Sequence, residues 1–249
     1  SDVCSSDLRA DVTAADASLA ALLTVEAAAR TRLAATVRRV GRQVGAGATP
    51  ETLVRGAHAI ERAVAADVVL VRAAARARSA STLAAEMSAA RIRPLDLPAR
   101  KGVETADHAE ATAAAKAFAA AWLAAALAPT AEALDGPTEP DNLDARAEGL
   151  ATSQTAGAFG AEREDITRAY AREAHARGLV IPFKRWDATH DRRLCARCRA
   201  LAESTPRPWG VDFPGGAVPG LVHPRCRCVS VTAVMPLAWR AESEEAAQP

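Results

Sequence analysis

Apolar positions recur in three- and four-residue steps from Leu8 to about Val44: Val12, Ala15, Leu19, Leu22, Leu33, Val37, Val40 and Val44. That spacing keeps one face of an α-helix apolar and predicts a long amphipathic helix able to pair with another. Gly41, Gly45 and Gly47 fray its end, and Thr49-Pro50-Glu51 is a helix start, with threonine as N-cap and proline at the first position. A second seam, Leu53, Ala57, Ile60, Val64, Val68 and Val71, continues toward Leu83 and Met87 until Arg93 and Pro94 stop it. PLDLPARKG then links to a third helix, from Val103 to Ala128 ahead of Pro129. No charge occurs between Lys116 and Glu132, yet FAAAWLAAALA is too short to cross a bilayer, so the reading is a buried helix with small faces and no membrane role.

The pattern loosens beyond this point. LDGPTEPDN, residues 134–142, is rich in turn residues and reads as a hinge. Short helices are predicted over Leu143–Ala151 and Ala161–Arg177, with Gly178 as the C-terminal stop. Leu179–Trp186 reads as a strand, with Cys228–Val234 alternating enough to pair with it. The chain thus divides into an α-helical domain over 9–178, a compact module over 179–236, and an acidic, flexible tail over 237–249 that ends AESEEAAQP. Residues 1–8, which lack an initiator methionine, are read as a truncated or non-native start, leaving Cys4 a lone thiol.

Composition sharpens the fold class. A chain of 249 residues suits one large or two small domains, and with aromatics at 4% its core must be built from Ala, Leu and Val on closely packed helices. The expectation is a mainly α protein, elongated and alanine-rich, with a small C-terminal module carrying a short β-hairpin. A formal net charge of +1 excludes any global pull toward nucleic acid or anionic membrane; such attraction has to be local.

The chemistry concentrates between Trp186 and Cys228, where four of the five cysteines lie, Cys195, Cys198, Cys226 and Cys228, together with His223. A CxxC pair brings two thiolates to one ion, and the HxxCxC cluster offers three more donors, one more than tetrahedral Zn²⁺ needs. Paired knuckles about 15–25 residues apart are a zinc spacing, and Cys198 and His223 stand at its upper edge. Disulfides are the bland alternative; they need an exported chain, and no apolar signal segment precedes the helices. A redox CxxC would open a helix, whereas this one reads as wedged between Arg193 and Arg197 in a loop-rich stretch, where flanking arginines lower thiol pKa values for metal and redox chemistry alike. Cys195, Cys198 and Cys226 are taken as ligands of a structural Zn²⁺, and the fourth is either His223, if the chain turns tightly, or Cys228, if it is extended.

The same residues carry a resemblance. Trp186, Asp191, Arg193, Cys195, Cys198, Leu201, a Pro/Gly-rich loop, then His223, Pro224, Cys226, Arg227 and Cys228 resemble the head-morphogenesis, or minor head protein, family of tailed phages of the phage Mu type. The match covers about the last quarter of the chain closely. It departs at Ala202-Glu203, where relatives often carry an Asp/Asn-Gly turn, and at DITRAYAREA, where an Arg-Thr-Glu cluster is expected. The resemblance implies a non-enzymatic virion component, present in the bacterial cytoplasm during assembly, that associates with the portal protein, other capsid components and packaged DNA.

Other features are weighed against plainer readings. Lys184, Arg185, Arg192, Arg193, Arg197, Arg225 and Arg227 crowd the module and are candidate phosphate contacts for non-specific DNA binding; loop arginines bonding carbonyls are the alternative. Arg30, Arg32, Arg38, Arg39 and Arg42 on the first helix read as a solvated face, and the long helices offer a surface for neighbouring copies. His108 and Glu110 form an HxE that zinc deaminases pair with PCxxC, but Leu194 replaces the proline. His58 and His175 read as surface residues, His190 ranks below His223 as a ligand, and Trp186, Trp209 and Trp239 are expected to plug the module's small core. No catalytic triad, phosphate-cradling glycine loop or paired carboxylates stand out, so no enzyme is expected. The alternatives are a zinc-dependent nucleic-acid-processing enzyme or toxin-like fusion, and a zinc-ribbon DNA-binding protein.

Overall fold

The computed structural model describes residues 3–44, 48–97, 102–127, 141–188, 194–204 and 206–233, with side chains described from 16 in the first helix and from 143 in the fourth. Four long helices, α1 (Val3–Val44), α2 (Pro50–Ala89), α3 (Val103–Leu127) and α4 (Asp141–Ala176), precede a small sheet of β1 (Phe183–Asp187), β2 (Arg207–Pro208) and β3 (Val229–Ala233), with the short α5 (Ala196–Ala202) between β1 and β2. The sheet is antiparallel in the order β2-β1-β3, and the pairing of Phe183 with Ala233 through Asp187 with Val229 is the expected hairpin-like partnership. The mainly α class with a small β-containing module is as expected; β2, two residues long, leaves no periodicity to read.

α2 is the central helix, packed against α1, α3 and α4. Its seam of Ile60, Val64, Val68 and Val71 meets Leu33, Val37 and Val40 of α1, Phe118 and Trp122 of α3, and Ala147 and Ala151 of α4. Ala75, Ala111, Ala115, Ala147 and Ala151 are fully buried, so small side chains set the helix spacing where aromatics are scarce. The start of α2 is as expected: Thr49 is the N-cap, its hydroxyl accepting the Thr52 N–H at 3.3 Å, with Pro50 next. Its end is not. The helix stops at Ala89 because Arg91 turns left-handed at φ 53° and the Ile92 N–H closes onto Met87 O, folding Ile92, Leu95 and Leu97 onto a cluster with Leu83, Tyr170 and Trp209. Apolar burial beyond the turn ends this helix ahead of Pro94.

The expected break between two short helices at 152–160 is also corrected, because α4 runs through it unbroken. Two glycines in that gap, Gly157 and Gly160, are contact points. A Cβ at Gly160 would collide with the Pro219 carbonyl and one at Gly157 with the Leu221 side chain, so the loop after Ala217 lies directly on α4. Gly160→Ala is expected to destabilise the fold by about 1–3 kcal/mol through overpacking. Gly41→Ala, with nothing within 4 Å, should follow helix propensity and stabilise by up to ~1 kcal/mol. Thermal melts of the two variants should therefore shift in opposite directions.

Gly178 ends α4 as expected, at φ 64°, with the Leu179 N–H bonded to Ala174 O. β1 starts at Phe183 instead of Leu179 because Pro182 offers no N–H to a ladder, and its carbonyl instead accepts from Trp209 N at 2.7 Å. β3 is buried at every position. Val229 and Val231 share a core with Leu22 of α1, Ala75 of α2 and Phe159 of α4, so the sheet is built into the helical body. No helix among the described residues is long and apolar enough to cross a membrane. The hinge over 134–140, Trp239 and the 237–249 tail lie outside the described residues, while Asp141 and Asn142 already belong to α4.

Candidate metal centre

Cys195 and Cys198 are positioned by α5. Cys195 is its N-cap, in extended conformation, and its sulfur accepts the Cys198 N–H at 3.3 Å. The CxxC therefore does open a helix, contrary to the loop expected from sequence, and the short α5 was hidden because seven residues give too little periodicity. His223 and Cys226 come from a tight turn closed by Cys226 N–H to His223 O at 3.1 Å. Cys228 follows at the threshold of β3.

The five donors converge. Cys195, Cys198 and His223 form one triad and Cys198, Cys226 and Cys228 another, the donor atoms of each lying within 4.8 Å of one another. Cys198 belongs to both: its Sγ is 3.3 Å from His223 Nε2 and 3.9 Å from Cys226 Sγ. Bond lengths of about 2.3 Å to sulfur and 2.0–2.1 Å to nitrogen in a tetrahedral site put S···S edges at about 3.8 Å and S···N edges at about 3.5 Å. The two edges that meet at Cys198 have nearly those lengths. None of these four cysteines is in a disulfide. Trp186, Leu201 and Phe213 pack around them, with Trp186 edge-on to Phe213 at 5.1 Å, while Trp209 sits on the helical side of the sheet against Tyr170.

The thiols and the imidazole shift one another's titration. The Cys226 thiol is held down at about 5, first by the hydrogen bond from Cys228 and against burial, with help from the backbone N–H groups of Cys228 and Gly220. Burial pushes Cys198 up to about 12, reinforced by its bond with Cys195 and the charge on Cys226. The Cys198 N–H draws Cys195 below the ordinary thiol range. The Pro224 carbonyl raises His223 above its ordinary value by accepting from Nδ1, overcoming burial, and the thiolates of Cys226 and Cys195 add to this. Because a carbonyl can only accept, Nδ1 carries the proton and neutral His223 presents a lone pair on Nε2 toward Cys198. Thiolates this close oppose one another until a cation is shared between them.

The basic residues separate into different roles. Lys184, expected among the phosphate contacts, is instead buried, paired with Glu164 and 4.9 Å from the Phe213 ring centre, so it cannot face DNA. Arg227 binds both oxygens of the buried Glu26, Arg185 pairs with Asp187, and Arg197 and Arg225 are exposed. Arg192, Arg193 and His190 lie outside the described residues. On α1, Arg30, Arg32 and Arg38 pair with Glu26, Asp67 and Asp144. His108 is exposed and bonds Glu104 O, while Glu110 pairs with Arg72; the HxE is occupied in helix contacts.

Sequence reading missed the acids that these cations meet. Glu26 falls four residues after Leu22 and three before Ala29, on the apolar seam, and a carboxylate in that register is itself the signal of a buried partner. Burial works to raise the Glu26 carboxyl, yet bonds from Arg227 and Thr152 and the charges of Arg227 and Arg30 hold it below 4.5. A depressed carboxylate stabilises the fold above its unfolded pKa and loses that contribution as pH falls through the lower folded value. Glu26→Gln should therefore be less stable than wild type at neutral pH, with the gap closing below about pH 4.5, as read by denaturant unfolding at a series of pH values.

The class that emerges is a helical protein with a small antiparallel sheet and a Cys/His cluster of metal-binding geometry. Compared with protein-family models, curated proteins and solved structures, the chain matches none.

Proposed function

We propose that the cluster holds one structural Zn²⁺ through Cys195, Cys198, His223 and Cys226, and that the chain is a zinc-stabilised, non-enzymatic component of a tailed-phage or prophage head. The observation that carries the metal reading is the position of Cys198, at tetrahedral-edge distances from both an imidazole nitrogen and a second cysteine. His223 is preferred as fourth ligand because the Pro224 carbonyl fixes its tautomer and orients Nε2 inward. Cys228 supports the site by hydrogen-bonding to the Cys226 sulfur. The assembly reading is supported by the resemblance of Trp186, the CxxC and HPxCRC to phage minor head proteins, with the long helices as the surface for the portal protein and neighbouring copies.

Purified protein should contain one zinc per chain. Complete chelation should remove the near-UV signal of Trp186 while most far-UV helicity stays, since the α1–α4 core excludes the cluster. Unchanged near-UV spectra after full metal removal would defeat the zinc reading. Cys228→Ser, which keeps a donor, should retain the metal better than His223→Ala; the reverse order would make Cys228 the ligand. The head reading is tested by binding to purified portal protein and by incubation with DNA, RNA and nucleosides. Turnover lost in Cys195→Ser would replace it with an enzymatic reading.

A further inference from the structure

The Cys/His cluster forms one wall of a cleft of about 1,000 Å³ whose other walls come from α1 and α4. That is ample for a small-molecule ligand. Three arginines line it, Arg30, Arg225 and Arg227. Arg30 and Arg227 both pair with the buried carboxylate of Glu26, and Glu148 of α4 also lines the cleft. Among the described residues Arg225 has no ion-pair partner. Its guanidinium reaches only the Ala145 carbonyl, at 3.5 Å, and lies against Gly149 of α4, where a Cβ would come within 3.2 Å of Nε.

The backbone makes this placement deliberate. Arg225 follows Pro224 in the His223–Cys226 turn and sits at φ 62°, a position that favours glycine or asparagine. Its own N–H is anchored on Ser153 Oγ at 3.2 Å. A strained left-handed residue and a helix glycine opposite it converge on one point of the cleft.

We propose that this cleft binds the phosphate group of a small phosphate ester, with Arg225 as its direct contact. The guanidinium fork presents paired N–H donors matched to phosphate oxygens. Arg30 and Arg227, already engaged by Glu26, contribute potential more than bonds. Arg225 belongs to the His223–Cys226 turn, so the inference rests on that turn staying folded; Ser153 Oγ holds its backbone N–H, and Ala145 and Gly149 of α4 meet its side chain.

Inorganic phosphate, a nucleoside monophosphate and a single-stranded oligonucleotide should be titrated into the full chain at low salt, with calorimetry or NMR as readout. Phosphate and the mononucleotide are expected to bind, and Arg225→Gly to weaken both about tenfold or more. Arg225→Lys should fall between, and Arg168→Ala, at a half-buried arginine of α4 outside the cleft that pairs with Asp212, should leave binding unchanged. Arg225→Gly also relieves the left-handed strain, so its melting temperature should hold or rise as binding is lost. A lower melting temperature with unchanged binding would mark Arg225 as a structural tether and overturn the proposal. So would failure of phosphate and mononucleotide to bind, or binding of the oligonucleotide alone.

Discussion

Cys198→Ser is expected to strip the chain of metal and unfold the C-terminal module, the largest loss foreseen for any single substitution. Cys198 is the donor common to both triads, so its removal leaves neither group of three intact. Structural zinc contributes about 10–16 kcal/mol to folding in zinc-finger peptides, as much as the total stability of an ordinary domain, about 5–15 kcal/mol. Part of that loss is offset here, because Trp186 and Phe213 pack against each other and β3 shares the core of Leu22 and Phe159. The expected result is a protein with α1–α4 formed and the segment from Ala188 to Cys228 open to proteolysis, with zinc content near zero. Full metal content and wild-type protease resistance in Cys198→Ser would contradict the shared-vertex geometry.

Glu86→Ala should cost about 3–5 kcal/mol, a figure typical of breaking a buried ion pair from one side. Glu86 projects from α2 into a fully enclosed junction where it accepts from Ser18 of α1, pairs with Arg163 of α4, and takes both the N–H and the hydroxyl of Thr232 in β3 at 3.1 Å each. The Arg163 side chain is 1% exposed, and without its carboxylate it becomes an uncompensated buried cation. Glu86→Gln keeps acceptor oxygen for Thr232 and should lose less. The double variant Glu86→Leu/Arg163→Met, which removes both charges, should be more stable than Glu86→Ala. Urea unfolding of the three variants checks the order; a double variant less stable than Glu86→Ala would show that the charges themselves hold the junction.

Charges in the helical seams were legible as anomalies. Asp107 precedes Ala111 and Ala115 by one and two turns, Asp67 follows Val64 by three residues, and Glu86 follows Leu83 by three. Each marks a carboxylate on an otherwise apolar face. What could not be read was the partner, because Arg72 and Arg76 for Asp107, or Arg163 for Glu86, come from other helices. For the same reason the module's basic residues looked like a single patch until Lys184 was found facing Glu164 inside the fold.

By itself the sequence determined what depends on near neighbours: the seams of α1 and α2, the presence of α3, the Thr49-Pro50 start of α2, the Gly178 stop, the β1–β3 partnership and the five candidate donors. Helix periodicity, capping and thiol chemistry are local, and they act wherever the chain goes. The tertiary structure alone decided that Gly157 and Gly160 sit inside one continuous helix, that α2 ends at Ala89, and that Cys198 stands between His223 and Cys226. Each of those outcomes turns on a surface arriving from far along the chain, the Pro219–Leu221 loop against α4, the Tyr170 and Trp209 cluster beyond α2, and the His223 turn against α5. Neither segment alone names the distant partner it will meet.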